Sequence, residues 1–392
     1  MTVRTELLAG VALCLLTLTG CTATVTGTPI ADRSAVDAAL DTGSFPTSPR
    51  TIAAPSEAEG KVLETRRMLE VIPTLSDVDP AMKYMQGMSV VTGDGLASAF
   101  GSGVGAALSA MQFGVTVDAR DQAPGAKGLD FHELIGGVVR MASEADAAKA
   151  VADPRVLGSD GTQFGYTSPP KIPVTVDGFP NAKAFTKTDS GRTRTVALAQ
   201  HGRFVVVVWS GSAKAGAVQD FLRRQTEALD GFTPTADDRL TTLPPDRDGI
   251  ETRTLPSKYS AARVPSEYGW STQRGQLHFM ANTDAAAKDF ADAGVDLVGM
   301  GGSNVYRARD AAGAVLLGDR FITEFKGYYA SSEESNVPGV PGSRCLAIKT
   351  DSDGFSLCVV AVGRYLAEYQ AIQPTEAKQA TAAGYLILKK AG

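Results

Sequence analysis

Four cysteines and three histidines among 392 residues leave little material for metal chemistry. His132, His201 and His278 stand far apart, and none has a second histidine three to five residues away, so local zinc-binding spacing is absent. No C-x-x-C and no G-x-S-x-G occurs, which removes the local signatures of a dithiol pair and of a hydrolase nucleophile elbow. Charge of one sign is also missing. The net charge is -5 and no cluster of five basic residues occurs, which argues against nucleic acid and against anionic headgroups as electrostatic partners. Beyond the amino terminus no apolar stretch approaches the ~20 residues of a membrane span.

What is present begins with "LLAGVALCLLTLTG", Leu7–Gly20, which is too short to span a bilayer and has the proportions of a secretory signal core. It ends in Leu18-Thr19-Gly20-Cys21, which resembles the bacterial lipobox. Cys21 is therefore the expected lipidation site and first mature residue, residues 1–20 the signal peptide, and acyl chains the contact with the membrane. Two acyl chains at ~0.8 kcal/mol per buried CH2 give stable anchoring where one gives only reversible binding. The expected location is the extracytoplasmic face of the cell membrane. Residues 21–55 are rich in Ser, Thr and Pro and read as a tether of roughly 110 Å at full extension. Within it "LDTGSFPTSPR", Leu40–Arg50, has a turn-and-extended character suited to docking on the body.

An internal repeat organises the rest. Gly178–Trp209 aligns with Gly339–Tyr369 at a constant shift of 161, without a gap until the end, so that Gly202-Arg203-Phe204 meets Gly363-Arg364-Tyr365. Upstream, "VVRMASEADAAKAV" from Val138 matches "VYRARDAAGAVLL" from Val305 at shifts of 164 to 167. A rival match of "MASEADAAKAVAD" with "MANTDAAAKDFAD", at a shift of 139, is set aside because alanine-rich helices agree by composition alone.

Each unit reads as a strand, a capped helix, a variable loop, three strands and a closing helix. The expected fold is α+β, with two tandem related two-layer domains, antiparallel sheets and helices on one face. "FVVVVW", Phe204–Trp209, is apolar on both faces, whereas "YLAEYQ", Tyr365–Gln370, alternates, so only the first sheet is expected to have its second face covered, by the segment after Ser56. The boundaries that follow are a first domain at 56–232, a linker at 233–257 and a second domain at 258–392.

The lipobox, the "LDTGSFPTSPR" segment, the "VYRARDAAGA" strand-helix and the "GVPGSRCLAIK...CVVAVGRYLAEY" hairpin together resemble a family of two-domain actinobacterial cell-envelope lipoproteins. That resemblance implies location and architecture; the family has no assigned activity and no catalytic residues to carry over.

Cys14 leaves with the signal and Cys21 takes lipid, so Cys345 and Cys358 remain as an even pair in an oxidising compartment. They flank the "TDSDG" turn at positions that a two- or four-residue hairpin loop sets directly opposite, and a disulfide between them is expected. The matching positions in the first unit, Ala184 and Ala197, are both small.

Elsewhere the chemistry is sparse. His201 reads as a solvated turn residue, and His132 and His278 as strand-edge residues. "TGDGLASAFGSGVGAALSA", Thr92–Ala110, reads as a loop entering a small-residue helix rather than a dinucleotide loop. "DRDG" at Asp246 and "DSDG" at Asp351 read as turns rather than calcium sites. No cofactor, metal or catalytic residue is expected. The expected role is a non-catalytic binding or scaffold protein for an envelope protein or small ligand. A hydrolase of envelope material with a dispersed site, and an extracytoplasmic ligand sensor, are the other readings the sequence leaves open.

Overall fold

The computed structural model describes residue 37 and residues 39–392 other than 92, 129, 164, 258–263, 330 and 350–353. The lipobox with Cys21, and Asp351–Asp353 of the second hairpin turn, lie outside the described residues.

The first domain opens with α1 (Glu57–Leu69). Its entry is set by a capping box: Glu59 N–H donates to Ser56 Oγ at 3.3 Å, and Ser56 N–H donates to Glu59 Oε2 at 2.7 Å. Then come α2 (Leu75–Val78), β1 (Tyr84–Val91), α3 (Gly93–Phe100), α4 (Ser102–Ala107), β2 (Phe113–Arg120), β3 (Glu133–Arg140) and α5 (Glu144–Ala152). A two-stranded ribbon, β4 (Thr162–Gln163) and β5 (Tyr166–Thr167), precedes β6 (Ile172–Val174), β7 (Lys183–Asp189), β8 (Arg192–His201), β9 (Phe204–Ser210) and α6 (Ala217–Asp230). The second domain runs β10 (Gly269–Thr272), α7 (Gln273–Gln276), α8 (Thr283–Ala293), β11 (Leu297–Met300), β12 (Asn304–Arg307) and α9 (Ala311–Tyr328). It ends with β13 (Ser332–Ser335), β14 (Arg344–Lys349), β15 (Gly354–Val362), β16 (Tyr365–Ala371) and α10 (Pro374–Ala391).

Each domain holds a seven-stranded antiparallel sheet, ordered β1-β2-β3-β9-β8-β7-β6 and β10-β11-β12-β16-β15-β14-β13. The two orders are the same, strand for strand. The shift of 161 survives at atomic register: Ala184 faces Ala197, and Cys345 faces Cys358. Val138 faces Val206 as Val305 faces Ala367, which fixes the upstream shift at 167. α5 and α9 each follow the third strand, whereas α8 lies between the first two strands, where the first domain has α3 and α4. That topology rejects the shift of 139.

Cys345 and Cys358 form a disulfide across β14 and β15 with their Cα atoms 4.0 Å apart. Because the hairpin ladder already closes this loop, the bond contributes at most about 2–4 kcal/mol.

The α+β class, the antiparallel sheets and the tandem domains are those the sequence predicts; the layering differs. Helices cover both faces of both sheets. In β9, Val206 and Val208 point toward α1, α2 and α6, while Val205 and Val207 point toward α3, α4 and α5. In β16 and β15, Leu366 and Val359 pack under α8 and α9, while Ala367, Cys358 and Val360 pack under α10. The alternation in "YLAEYQ" misleads for two reasons. One face, with Ala367 between Tyr365 and Tyr369, meets the small-residue helix α10. Glu368, which reads as solvated, is buried and accepts the Tyr306 hydroxyl at 2.7 Å. The segment after Ser56 does more than cover a face, since β1 and β2 extend the sheet itself.

Residues 233–257 also differ from a free linker. Leu240, Ile250, Glu251, Thr254 and Leu255 are buried. Leu40–Arg50 is docked on the second domain: Phe45 meets Tyr369 edge-on at 5.8 Å, Lys390 Nζ donates to Thr47 O at 2.7 Å, and Arg50 pairs with Glu251 at 2.7 Å. Residues 40–392 thus form one compact unit.

Candidate functional site

α1 is the element that joins the domains. Met68 and Leu69 face the first core, and Leu63 lies against β10 of the second domain. Two glycines permit that approach. A Cβ at Gly60 would sit 2.5 Å from Leu240 O, and one at Gly269, whose φ is +92°, would sit 2.5 Å from Leu63 Cδ2.

Between α1 and β10 the close packing leaves a pocket of about 360 Å³, within the range of small-molecule sites. α1 and the turn after it supply Leu63, Arg66, Arg67, Glu70 and Val71; Phe232 follows α6; Leu243 and Pro244 come from the connecting segment; Trp270 and Thr272 come from β10. Its walls are held by hydrogen bonds. Trp270 Nε1 donates to Pro244 O at 3.0 Å, and Arg247 stacks over the indole at 5.1 Å. Thr272 donates through its hydroxyl to Glu70 Oε2 at 2.5 Å and through its amide to Oε1 at 3.2 Å. Arg67 pairs with the buried Glu64 at 2.7 Å and lies 5.3 Å over the Phe232 ring.

Arg66 is the exception among these satisfied groups. It is 3% exposed, its Nη2 reaches only the Met300 sulfur at 2.8 Å, and its guanidinium lies 4.4 Å from the Phe279 ring centre. Nε and Nη1 have no hydrogen-bond partner. Burial lowers its pKa to about 10, opposed by the charges of Glu251, Glu70 and Glu267, so it remains a cation at neutral pH.

Nearby, His278 is fully buried in a 3-10 turn rather than at a strand edge, and neither ring nitrogen has a hydrogen-bond partner of good geometry. Burial first, and then the charge of Arg274, depress its pKa to about 4, so the ring is neutral. Between pH 6.5 and 4 the unfolded chain takes up a proton that the native chain refuses, so this group's contribution to stability falls as pH falls through that window. The wild type is expected to lose about 2 kcal/mol relative to His278→Gln between pH 7.5 and pH 5. Urea melts of both proteins at the two pH values check this; parallel pH profiles would contradict it.

The other histidines are placed differently. His201 Nε2 lies 3.0 Å from Asp230 at the end of β8, and His132 Nδ1 lies 2.7 Å from Asp121 Oδ2 in a second pocket that Ser212 also lines. A hydroxyl beside a His-Asp pair suggests a nucleophile. The Ser212 hydroxyl, however, donates to Asp79 Oδ2 and accepts from Lys214 N–H, so it is committed elsewhere. Asp246 caps Glu251 N–H at 2.8 Å, which is turn chemistry. Within the glycine-rich stretch, Gly93–Phe100 and Ser102–Ala107 are the paired short helices α3 and α4, and a Cβ at Gly105 would meet Ala97 at 2.6 Å. Among the described residues no group of three His, Cys, Asp or Glu is arranged to hold a metal ion. Nor is any described helix long and apolar enough to cross a membrane.

Residues 51–245 match the N-terminal model of DUF7373, a domain of unknown function, and residues 244–391 match its C-terminal model. The chain belongs to the DUF7373 family. The boundary between the two DUF7373 parts falls at Pro244–Pro245, and Pro244 is itself a wall of the junction pocket. The extracellular domain of PknH from Mycobacterium tuberculosis, a crystal structure, is 13% identical over 47% of this chain and 98% of that one. Its TM-score of 0.31 carries no argument for this DUF7373 protein. No curated protein matches the chain.

The sequence marks neither Arg66 nor Trp270 as a site residue. They lie about 200 positions apart, and the only local signal is a charged pair, Arg66-Arg67, on an otherwise core-facing helix.

Proposed function

We propose that this DUF7373 protein is an exported, non-catalytic binding protein held at the extracytoplasmic face of the membrane by acyl chains on Cys21. Its ligand occupies the junction pocket. The observation that carries this reading is a ligand-sized pocket built jointly by both domains, whose aromatic and polar walls are fixed by their own partners before any ligand arrives. Preorganised walls lower the ordering cost of binding. Lipobox sequence supports the anchor.

Protein extracted from its own envelope without denaturant is expected to carry a small-molecule adduct in native mass spectrometry. Leu243→Trp, which fills the pocket from the connecting segment, is expected to lose it. An adduct that persists in that variant, or a wild type as bare as the variant, would contradict the reading.

A further inference from the structure

One cation at the junction pocket is short of hydrogen-bond partners. The charged lining residues are Arg66, Arg67 and Glu70. Arg67 and Glu70 are both spoken for, by Glu64 and by Thr272. Of the carboxylates that act on Arg66 from a distance, Glu251 receives Arg50 and the Met300 amide, and Glu70 receives Thr272. No carboxylate among the described residues forms an ion pair with Arg66. Of the five N–H donors of a guanidinium, those on Nε and Nη1 have no acceptor.

A buried cation with unanswered donors is costly, and natural structures rarely leave one without an anion, a hydrogen-bond acceptor or water. The seam around it is short of partners too. Ser271, Gln276 and His278, on the strand, helix and turn that face α1 and β1, each hold buried side-chain atoms without hydrogen-bond partners. The same pocket offers Trp270, Phe232, Leu63, Val71 and Leu243 as apolar surface.

We propose that the junction pocket takes an amphipathic monoanion, with an oxyanion head received by Arg66 and an aromatic or short aliphatic body held against Trp270 and Phe232. The inference rests on the pocket being the binding site and adds the chemical class of its occupant. Arginine suits carboxylate, sulfate and phosphate heads because its planar donors match their oxygens. Trp270 supplies the readout, since the chain has only two tryptophans. In a Trp209→Phe background it alone reports.

Fluorescence titration of that protein with octanoate is expected to saturate. Octan-1-ol is expected to bind about tenfold or more weakly, and octylammonium more weakly still. Arg66→Met keeps the stem and removes the charge; it should erase the preference for octanoate while leaving octan-1-ol unchanged. Octyl phosphate alongside octanoate separates a phosphate source from a carboxylate one. Equal affinity for octanoate and octan-1-ol in the parent overturns the monoanion and leaves the pocket standing. Silence of Trp270 toward all four compounds overturns the pocket as a binding site and the monoanion with it. The parent's comparison of acid, alcohol and amine decides the matter even where Arg66→Met does not fold.

Discussion

Arg140→Met is expected to lower stability by about 3–5 kcal/mol, the cost of breaking a buried ion pair by removing one partner. Arg140 closes β3, its side chain is 0% exposed, and its Nη1 donates to the equally buried Glu64 of α1 at 3.2 Å. Nε donates to Gln112 Oε1 at 3.1 Å, and Nη2 donates to Thr235 O at 2.6 Å and to Asp237 Oδ1. One guanidinium therefore fastens the sheet, the helix that joins the domains, and the segment that follows α6. Its removal leaves Glu64 with Arg67 and Thr235 but without the charge behind it, and strips Asp237 of one of its partners. Adding Glu64→Gln should recover part of the loss, because the stranded charge disappears with it. Denaturant melts of the single and double variants measure this. A loss below about 1 kcal/mol for Arg140→Met would show that the network contributes nothing beyond its neighbours' packing.

Cys21→Ala is expected to move the protein completely from the detergent-extracted membrane fraction to the soluble exported fraction. Two acyl chains at ~0.8 kcal/mol per buried CH2 hold a protein to a bilayer, and among the described residues no helix is long and apolar enough to cross one. The body should be unaffected, because Cys21 lies outside the docked Leu40–Arg50 segment, in which Asp41 accepts from Gln379 at 3.0 Å. The thermal midpoint of the variant is expected to match that of the wild type. Docking also shortens the reach of the tether: residues 22–39 extend at most roughly 60 Å, against the roughly 110 Å of an undocked tether. Membrane retention of Cys21→Ala would contradict the anchor.

Contacts that close within a hairpin or a helical turn were legible in one dimension. The facing pairs Ala184–Ala197 and Cys345–Cys358 follow from a constant shift, because antiparallel register propagates residue by residue from the turn. The buried face of α6, with Val218, Phe221, Leu222, Gln225 and Leu229, follows from helical period, and the start of α1 from its capping box. The second helical layer on the second domain was not legible. Small residues on α10 and on β16 conceal burial from any pattern that reads size and apolarity.

By itself, then, the sequence determined the tandem repeat, the strand pairing within each hairpin, the disulfide and the absence of locally spaced catalytic or metal motifs, because each depends on residues near one another in the chain. Only the tertiary structure decided that α1 bridges the domains, that Arg66, Glu64, Arg140 and His278 are buried, and that Arg66 and Trp270 share a pocket. The physical reason is that a charged side chain carries no sequence mark of burial. Whether it meets water, a partner or an unfilled cavity depends on surfaces some 200 residues distant, which come together only when both cores have formed.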